Sequence, residues 1–197
     1  VKSDPLLAFL AEYLQKTGEN QLRPIVSTKL SNTGLERYIT KILGLPYFIT
    51  PVGERHVISR LRDEGGVCGG EESGHLVLLD YAQSGDAMMA ALKVLQGIAA
   101  SGKKASEIFP LFEEDFVFFE NYKVADNAQV KTTAGDPTLK VLVDKFAQDM
   151  AGHGRVVIHP SGTEPKIRIW VCGDDEAKVK ACGQALWNKI DDLCRGV

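Results

Sequence analysis

The chain lacks the features that mark several common classes of protein. It has no CxxC pair, and its four cysteines stand at no ligand spacing from its four histidines, which favours unpaired thiols in a reduced compartment over a structural zinc site. No apolar run reaches the roughly 20 residues that span a bilayer, and Asp4 and Glu12 interrupt the apolar start as no signal peptide would. A formal charge of -3 without long runs of like charge argues against a nucleic-acid partner. A cytoplasmic protein with neither nucleic-acid nor membrane partner is predicted.

The composition and the pattern of apolar residues indicate two folded domains. The 197 residues are 44% hydrophobic and 25% charged, as is ordinary for globular chains. Short strands such as RPIVST and PYFITP alternate with amphipathic helices in the first half, whereas an aromatic strand, a helix, two strands and a helix follow residue 112. We therefore predict a mixed-sheet α/β domain over residues 1–111 and a smaller α+β domain with a mainly antiparallel sheet over residues 112–197.

The loop HPSGTEP joins the two strands that precede the final helix, where two residues would suffice for a hairpin. Ser161 and Thr163 offer hydroxyls, Gly162 allows backbone N–H groups to converge, and Arg168 lies along the next strand. Such a set of donors suits a phosphate, because hydrogen bonds to a charged group are about twice as strong as neutral ones. The alternative is an ordinary solvated Pro-Ser-Gly turn, and composition alone does not choose between them.

The loop GGEESGH, residues 69–75, is a second polar group between two strands. A carboxylate with Ser73 and His75 nearby can exchange hydrogen bonds with the vicinal hydroxyls of a sugar. Glu71 and Glu72 are expected to point apart on an extended backbone, which favours binding over paired acid and base catalysis. A solvated acidic turn, with His75 as a structural histidine, remains open.

Two further loops follow predicted strands and are weaker candidates. Glu54 and Arg55 lie at the strand-to-helix junction TPVGERHV, and Lys29 lies in STKLSN. Loops at the carboxyl ends of strands line the ligand crevice of an α/β sheet, so both loops are candidates to share a site with GGEESGH. A solvated helix start is the competing interpretation of each.

Taken together, these motifs resemble those of one family. GGEESGH followed by LVLLDYAQSGD, with SGTEPKIRIWV about ninety residues later, is similar to the C-terminal half of the α-D-phosphohexomutases. The resemblance covers essentially the whole chain and implies the third and fourth of four domains. The family's first domain carries a serine that is phosphorylated, in a context such as TASHNP, and its second carries a DGDGDR-type loop that holds Mg²⁺. Neither motif occurs here, so the chain is expected to be part of a longer protein and inactive alone, with no catalytic residue and no metal ligand of its own.

The resemblance implies roles for the polar loops. Glu71 and Ser73 would contact sugar hydroxyls, with His75 supporting their loop. Lys29, Glu54 and Arg55 match the family's sugar-site loops less securely.

The phosphate loop is carried over in the same way. Ser161, Gly162 and Thr163 would hold the non-reacting phosphate with help from Arg168. The family usually has an arginine where this chain has His159. A histidine brings less charge and no bidentate fork, so weaker and more pH-dependent phosphate binding is expected.

The implied activity belongs to the intact protein. Within the family, DYAQSGD favours interconversion of glucosamine 6-phosphate and glucosamine 1-phosphate for cell-wall precursors, through a phosphoserine and glucosamine 1,6-bisphosphate. The missing N-terminal catalytic domains and a second copy in a homodimer are the protein partners expected. The last domain is expected to swing on a hinge near residues 110–115. Phosphomannomutase or phosphoglucomutase activity, or a non-catalytic phosphosugar-binding module, stays open.

Overall fold

Strands and helices alternate along the first part of the chain. The computed structural model describes residues 2–161 and 164–196, and the chain divides into two compact units, Val1–Glu114 and Asp115–Val197. The first unit contains, in order, α1 (Ser3–Lys16), β1 (Ile25–Thr28), α2 (Thr33–Arg37), β2 (Tyr47–Thr50), α3 (Glu54–Glu64), β3 (Cys68–Gly70), β4 (Leu76–Leu78), α4 (Ala87–Ser101) and α5 (Ala105–Ile108). A π-helical turn, Tyr38–Ile42, extends α2.

The strands of the first unit form one mixed sheet in the order β2-β1-β3-β4. Strand β1 is parallel to both neighbours, with Ile25 opposite Tyr47 on β2 and Cys68 on β3, whereas β4 is antiparallel to β3. Parallel strands end on the same side of a sheet. The loops that follow β1, β2 and β3 therefore meet along one side, which we call the carboxyl edge.

Helices cover both faces of this sheet. Leu7 and Leu10 of α1 join Ile25 and Cys68 in a cluster that also includes residues of α4, and a smaller cluster packs Val57 and Leu61 of α3 against Val26 and Val77. This places successive residues of β1 in opposite cores, as the alternation of side chains along a strand requires. Burial raises the pKa of the Cys68 thiol to about 12, so the thiol is protonated at neutral pH and packs as a small apolar group.

The second unit is built around an antiparallel sheet. Its elements are β5 (Phe116–Lys123), α6 (Asn127–Ala134), α7 (Pro137–Asp149), β6 (Gly154–Pro160), β7 (Lys166–Gly173) and α8 (Glu176–Arg195). The sheet order is β5-β7-β6, and β7 pairs antiparallel with both neighbours. Ile167 and Ile169 of β7 pack with Leu186 and Ile190 of α8, so the alternate residues, among them Arg168, lie on the face away from the helices. The predicted fold class, an α/β domain followed by an α+β domain, is confirmed.

Two local features were not predicted from the sequence. Helix α6 was not expected, because its sequence NAQVKTTA is rich in polar and β-branched residues and its buried positions are only Val130 and Thr133. At the start of α1, Lys2 is the N-cap without a side-chain cap bond, and Asp4 lies inside the first turn. Among the described helices, none is long and apolar enough to cross a membrane.

Candidate functional site

The carboxyl edge brings together the loops that the sequence analysis selected in the first unit. Lys29 follows β1, residues 51–53 connect β2 to α3, and Glu71 follows β3. Hydrogen bonds join these loops: the Lys29 N–H donates to the Thr50 carbonyl (2.9 Å), and the Gly53 N–H donates to Glu71 Oε1 (2.8 Å). The parallel pairing of β1 with both neighbours is what makes these contacts possible.

Glu71 is the buried centre of this edge, with only 4% of its surface exposed. Its loop is a tight turn between β3 and β4, closed by hydrogen bonds from the Glu71 N–H to the His75 carbonyl (2.9 Å) and from the Gly74 N–H to the Glu71 carbonyl (3.1 Å). Gly74 has φ +109°, a conformation that other residues rarely adopt. The turn directs the Glu71 carboxylate inward, and Glu72 is exposed.

Ser73 and His75 lie exposed beside this carboxylate. His75 Nδ1 is 3.3 Å from Glu71 Oε2 and 3.2 Å from Ser73 Oγ. The imidazole of His75 therefore contacts both a carboxylate and a hydroxyl within one five-residue turn. This group can both donate and accept hydrogen bonds, as recognition of neighbouring hydroxyls requires.

The weaker candidates differ in their environment. Glu54 Oε1 accepts a hydrogen bond from the Gly85 N–H (2.9 Å), and a Cβ at Gly85 would lie 2.6 Å from Glu54 Oε2. Glu54 thus ties the start of α3 to the segment before α4. Arg55 is exposed, and its Nε is 3.3 Å from His56 Nε2. Burial lowers the pKa of the half-buried Lys29 ammonium.

Two residues that the sequence analysis did not select also reach these loops. Ser3 Oγ donates to the Glu71 carbonyl (2.5 Å), and Asp4 Oδ2 accepts from the Asn32 N–H (2.7 Å). Desolvation raises the pKa of Asp4 to about 6, although the hydrogen bonds from Asn32 and Ser31 act in the opposite direction. No sequence signal identified this role, because an Asp-Pro pair at a helix start is usually a cap.

In the second unit, the loop between β6 and β7 holds the proposed phosphate-binding residues. Ser161 is buried; its N–H donates to the Lys166 carbonyl (3.0 Å), and its hydroxyl oxygen accepts from the Glu164 N–H (3.2 Å). Gly162 and Thr163 lie outside the described residues. Ser161 therefore helps to close the loop itself.

His159 and Arg168 are directly opposite each other on β6 and β7, and Asn121 of β5 continues the same row. Residues paired across strands share a face of the sheet, so these side chains project together on the face away from the helices. Both His159 and Arg168 are half-buried. The structure thus brings the two together next to the loop, as their positions in the motif suggested.

Further cations surround this loop. The pKa of Glu164 is lowered by its hydrogen bond with Lys166 and by the charges of Lys166, Arg168 and Lys123. Lys166 Nζ lies 2.5 Å from Glu164 Oε2, and Lys123 is opposite Lys166 in the sheet. Lys123 and Lys166 were not selected from the sequence; Lys166 is inside the quoted motif, whereas Lys123 becomes visible only through the strand register.

No candidate metal centre is present in the part of the chain that the structure describes. No group of three or more His, Cys, Asp or Glu residues there is arranged to hold a metal ion.

Two family models match the chain. Residues 2–114 match the model described as "Phosphoglucomutase/phosphomannomutase, alpha/beta/alpha domain III", and residues 120–188 match the C-terminal domain of the same family. The fold is thus that of the last two domains of a phosphosugar mutase. The chain belongs to the phosphoglucomutase/phosphomannomutase family, the α-D-phosphohexomutases, which confirms the resemblance based on the two motifs.

Curated relatives support the same assignment. The chain is 38% identical to the phosphoglucosamine mutase of Novosphingobium aromaticivorans over 201 residues, covering 100% of this chain and 42% of that protein. It is 39% identical to the phosphoglucosamine mutase of Rhodospirillum rubrum over 179 residues, covering 91% of this chain and 39% of that protein. The chain therefore spans about two fifths of the length of these relatives.

Solved structures share the fold at low sequence identity. An N-acetylglucosamine-phosphate mutase of the α-D-phosphohexomutase superfamily, in its product complex, superposes with a TM-score of 0.75 at 18% identity, covering 95% of this chain and 43% of that one. The Aspergillus fumigatus N-acetylphosphoglucosamine mutase in complex with GlcNAc-6P and magnesium gives a TM-score of 0.75 at 16% identity, covering 98% of this chain and 44% of that one.

Proposed function

We propose that the intact protein is a phosphoglucosamine mutase, and that this chain is the half of it that binds the substrate. The observation that carries the proposal is the identity of 38% to a phosphoglucosamine mutase over the whole chain, with two polar loops at the positions that the family motifs mark. The intact enzyme would interconvert glucosamine 6-phosphate and glucosamine 1-phosphate. This chain alone would be inactive, because neither phosphoserine motif nor aspartate-rich loop occurs in it.

The carboxyl edge of the first unit would recognise the sugar. Glu71 is held by the Gly53 N–H, so its carboxylate has a fixed orientation from which it can accept from a sugar hydroxyl. Ser73 and His75 are exposed next to it and would complete the contact. Lys29, in the loop after β1, and Glu54 and Arg55, at the start of α3, would line the rim of this contact.

The second unit would hold the phosphate that does not react. Arg168 and His159 form a cross-strand pair beside the loop that contains Ser161, Gly162 and Thr163. A dianionic phosphate would also be attracted by the neighbouring lysines at positions 123 and 166. These extra cations offset part of the charge that a histidine at position 159 does not provide.

The chemistry would take place in the missing domains. A phosphoserine there would donate its phosphoryl group to the sugar phosphate, and the resulting glucosamine 1,6-bisphosphate would turn end for end before returning the other phosphoryl group to the serine. Mg²⁺ would be bound by those domains and would neutralise the charge of the transferred group. What this chain contributes is positioning, since both orientations present a phosphate to the second unit and hydroxyls to the first.

The setting of the enzyme follows from this proposal. Its protein partners would be the N-terminal catalytic domains and a second copy in a homodimer. As a supplier of amino sugar phosphate to cell-wall synthesis it would work in the cytoplasm.

A titration of this chain followed by amide NMR tests the proposal. Glucosamine 6-phosphate should shift the amides of residues 71–75 together with those of the loop at 161–165, whereas inorganic phosphate should shift only the second loop. Arg168→Gln should weaken phosphate binding by roughly tenfold, because it removes a charge-assisted contact. Lys180→Gln is the matched control: it removes one positive charge from the same unit at an exposed ion pair with Glu176.

The result that would contradict the proposal is equally specific. If neither loop responds to millimolar glucosamine 6-phosphate while the intact protein binds it, the substrate contacts lie elsewhere. Stronger shifts with mannose 6-phosphate or glucose 6-phosphate would assign the protein to the phosphomannomutase or phosphoglucomutase branch instead.

A further inference from the structure

The first turn of α1 contacts two loops of the carboxyl edge at once. Ser3 Oγ donates to the backbone carbonyl of Glu71, 68 residues away, and Asp4 Oδ2 accepts from the backbone N–H of Asn32, 28 residues away. Ser3 and Asp4 are 7% and 8% exposed. These are buried, long-range polar contacts rather than local ones.

The two contacted loops are those that carry proposed sugar-binding residues. Asn32 belongs to the loop that begins at Lys29, and its own side chain caps α2 by accepting from the Gly34 N–H (2.9 Å). The Glu71 carbonyl lies at the start of the turn that contains Ser73 and His75. One helical turn therefore fixes the backbone of both loops relative to each other.

The stability of α1 alone does not account for this arrangement. Ser and Asp at a helix start usually cap the helix with their side chains, yet the N-cap of α1 is Lys2 and makes no side-chain cap bond. Both polar side chains point to other loops instead. The arrangement also leaves Asp4 Oδ1 buried without a hydrogen-bond partner, which is unfavourable unless the contacts made by Oδ2 are needed.

We propose that Ser3 and Asp4 are positioning residues for the sugar site: together they hold the Lys29 loop and the Glu71 turn at the spacing that the ligand requires. The proposal rests on the proposed function for the identity of the ligand. The fixing of the two loops is a property of the protein without ligand and can be measured on its own.

Hydrogen exchange of single amides tests the positioning directly. In Asp4→Ala the protection factor of the Asn32 amide should fall at least tenfold, because its hydrogen-bond acceptor is gone. Amides of the sheet, such as that of Val26, should keep their protection factors. Ser3→Ala should shift the amides of residues 71–75, and Ser3→Thr, which retains a hydroxyl, should restore them. Lys16→Gln is the control, since it removes one charge from the last turn of the same helix, at an exposed ion pair with Glu12.

Binding separates positioning from simple stabilisation. Asp4→Ala and Ser3→Ala should each raise the dissociation constant for glucosamine 6-phosphate about tenfold and leave that for inorganic phosphate unchanged, because the phosphate loop lies in the other unit. Unchanged exchange at Asn32 in Asp4→Ala would overturn the proposal. So would an equal loss of protection throughout the first unit, since that would be a purely structural effect. If neither the unmodified chain nor the intact protein binds glucosamine 6-phosphate, the proposed function fails, and the exchange data still decide the positioning role.

Discussion

Replacing Asp4 with asparagine should change how the stability of the first unit depends on pH. The pKa of Asp4 is raised to about 6, mainly by desolvation. Hydrogen bonds from Asn32 and Ser31 and the charge of Lys2 lower this pKa, and the charge of Glu114 raises it. The net effect is a carboxyl group that binds its proton more tightly in the folded chain than in the unfolded one. Asparagine keeps an acceptor for the Asn32 N–H but has no proton to lose.

The size of the effect follows from the difference between the two pKa values. Between an unfolded value of 3.8 and a folded value of about 6, each unit corresponds to about 1.4 kcal/mol, which gives an upper limit of about 3 kcal/mol. Because the folded pKa is the higher one, this stabilising contribution is complete below about pH 4 and is lost as the pH rises through about 6. Between about pH 4 and pH 7, the free energy of unfolding of Asp4→Asn should therefore rise by up to about 3 kcal/mol relative to that of the unmodified chain.

Hydrogen-exchange mass spectrometry in a urea series measures this for α1 at several pH values. The chain provides an internal control: its only tryptophans, Trp170 and Trp187, lie in the second unit, so their fluorescence follows the unfolding of that unit. The tryptophan transition should be the same in both proteins at every pH. A stability difference for α1 that does not change between about pH 4 and pH 7 would refute the reasoning, since it would mean that Asp4 titrates normally in the fold.

Three further substitutions test the packing. Gly183→Ala should destabilise the second unit by about 1–3 kcal/mol, visible in tryptophan fluorescence, because the added Cβ would lie 2.3 Å from the Phe118 ring. Leu92→Gln should change the stability of the first unit by less than about 0.5 kcal/mol in urea unfolding, since Leu92 is 57% exposed. Lys93→Met should lower the opening free energy of α4, measured by hydrogen exchange, by about 1–3 kcal/mol, because it breaks the 2.8 Å ion pair of the buried Lys93 with Glu19. Unchanged protection of the α4 amides in the variant would contradict this.

Local signals in the sequence were sufficient for most of the fold. Asp86 and Asp136 cap α4 and α7, and an N-cap can be predicted from sequence because it is a contact between residues two or three positions apart and needs no tertiary information. Helix α6 was missed because propensity and periodicity are weak in it and packing against α8 and the sheet supplies its stability instead. The contact of Asp4 with Asn32 could not be predicted from local signals for a related reason, since the two residues are 28 positions apart.

The candidate site was predictable to the level of which loops meet. The rule that parallel strands end on one side of a sheet brings the loops after β1, β2 and β3 to the same edge without any knowledge of side chains. The rule does not identify contacts, such as that of Glu71 with the Gly53 N–H or that of Glu54 with the Gly85 N–H. Both depend on backbone groups, which look the same at every position of a sequence.

The net charge of a sequence also does not show how the charges are arranged in the fold, and this arrangement matters for phosphate binding. A formal charge of -3 argues against a long polyanion as ligand, because binding a nucleic acid needs a cationic surface many residues wide. It says nothing against a single phosphate, which responds to the few charges within about a Debye length, roughly 8–10 Å at physiological salt. The strand register of the second unit places Lys123, Lys166 and Arg168 on one face of the sheet, near Glu164 as their acidic neighbour. An acidic chain can therefore bind an anionic substrate when antiparallel pairing gathers cations that are far apart in the sequence.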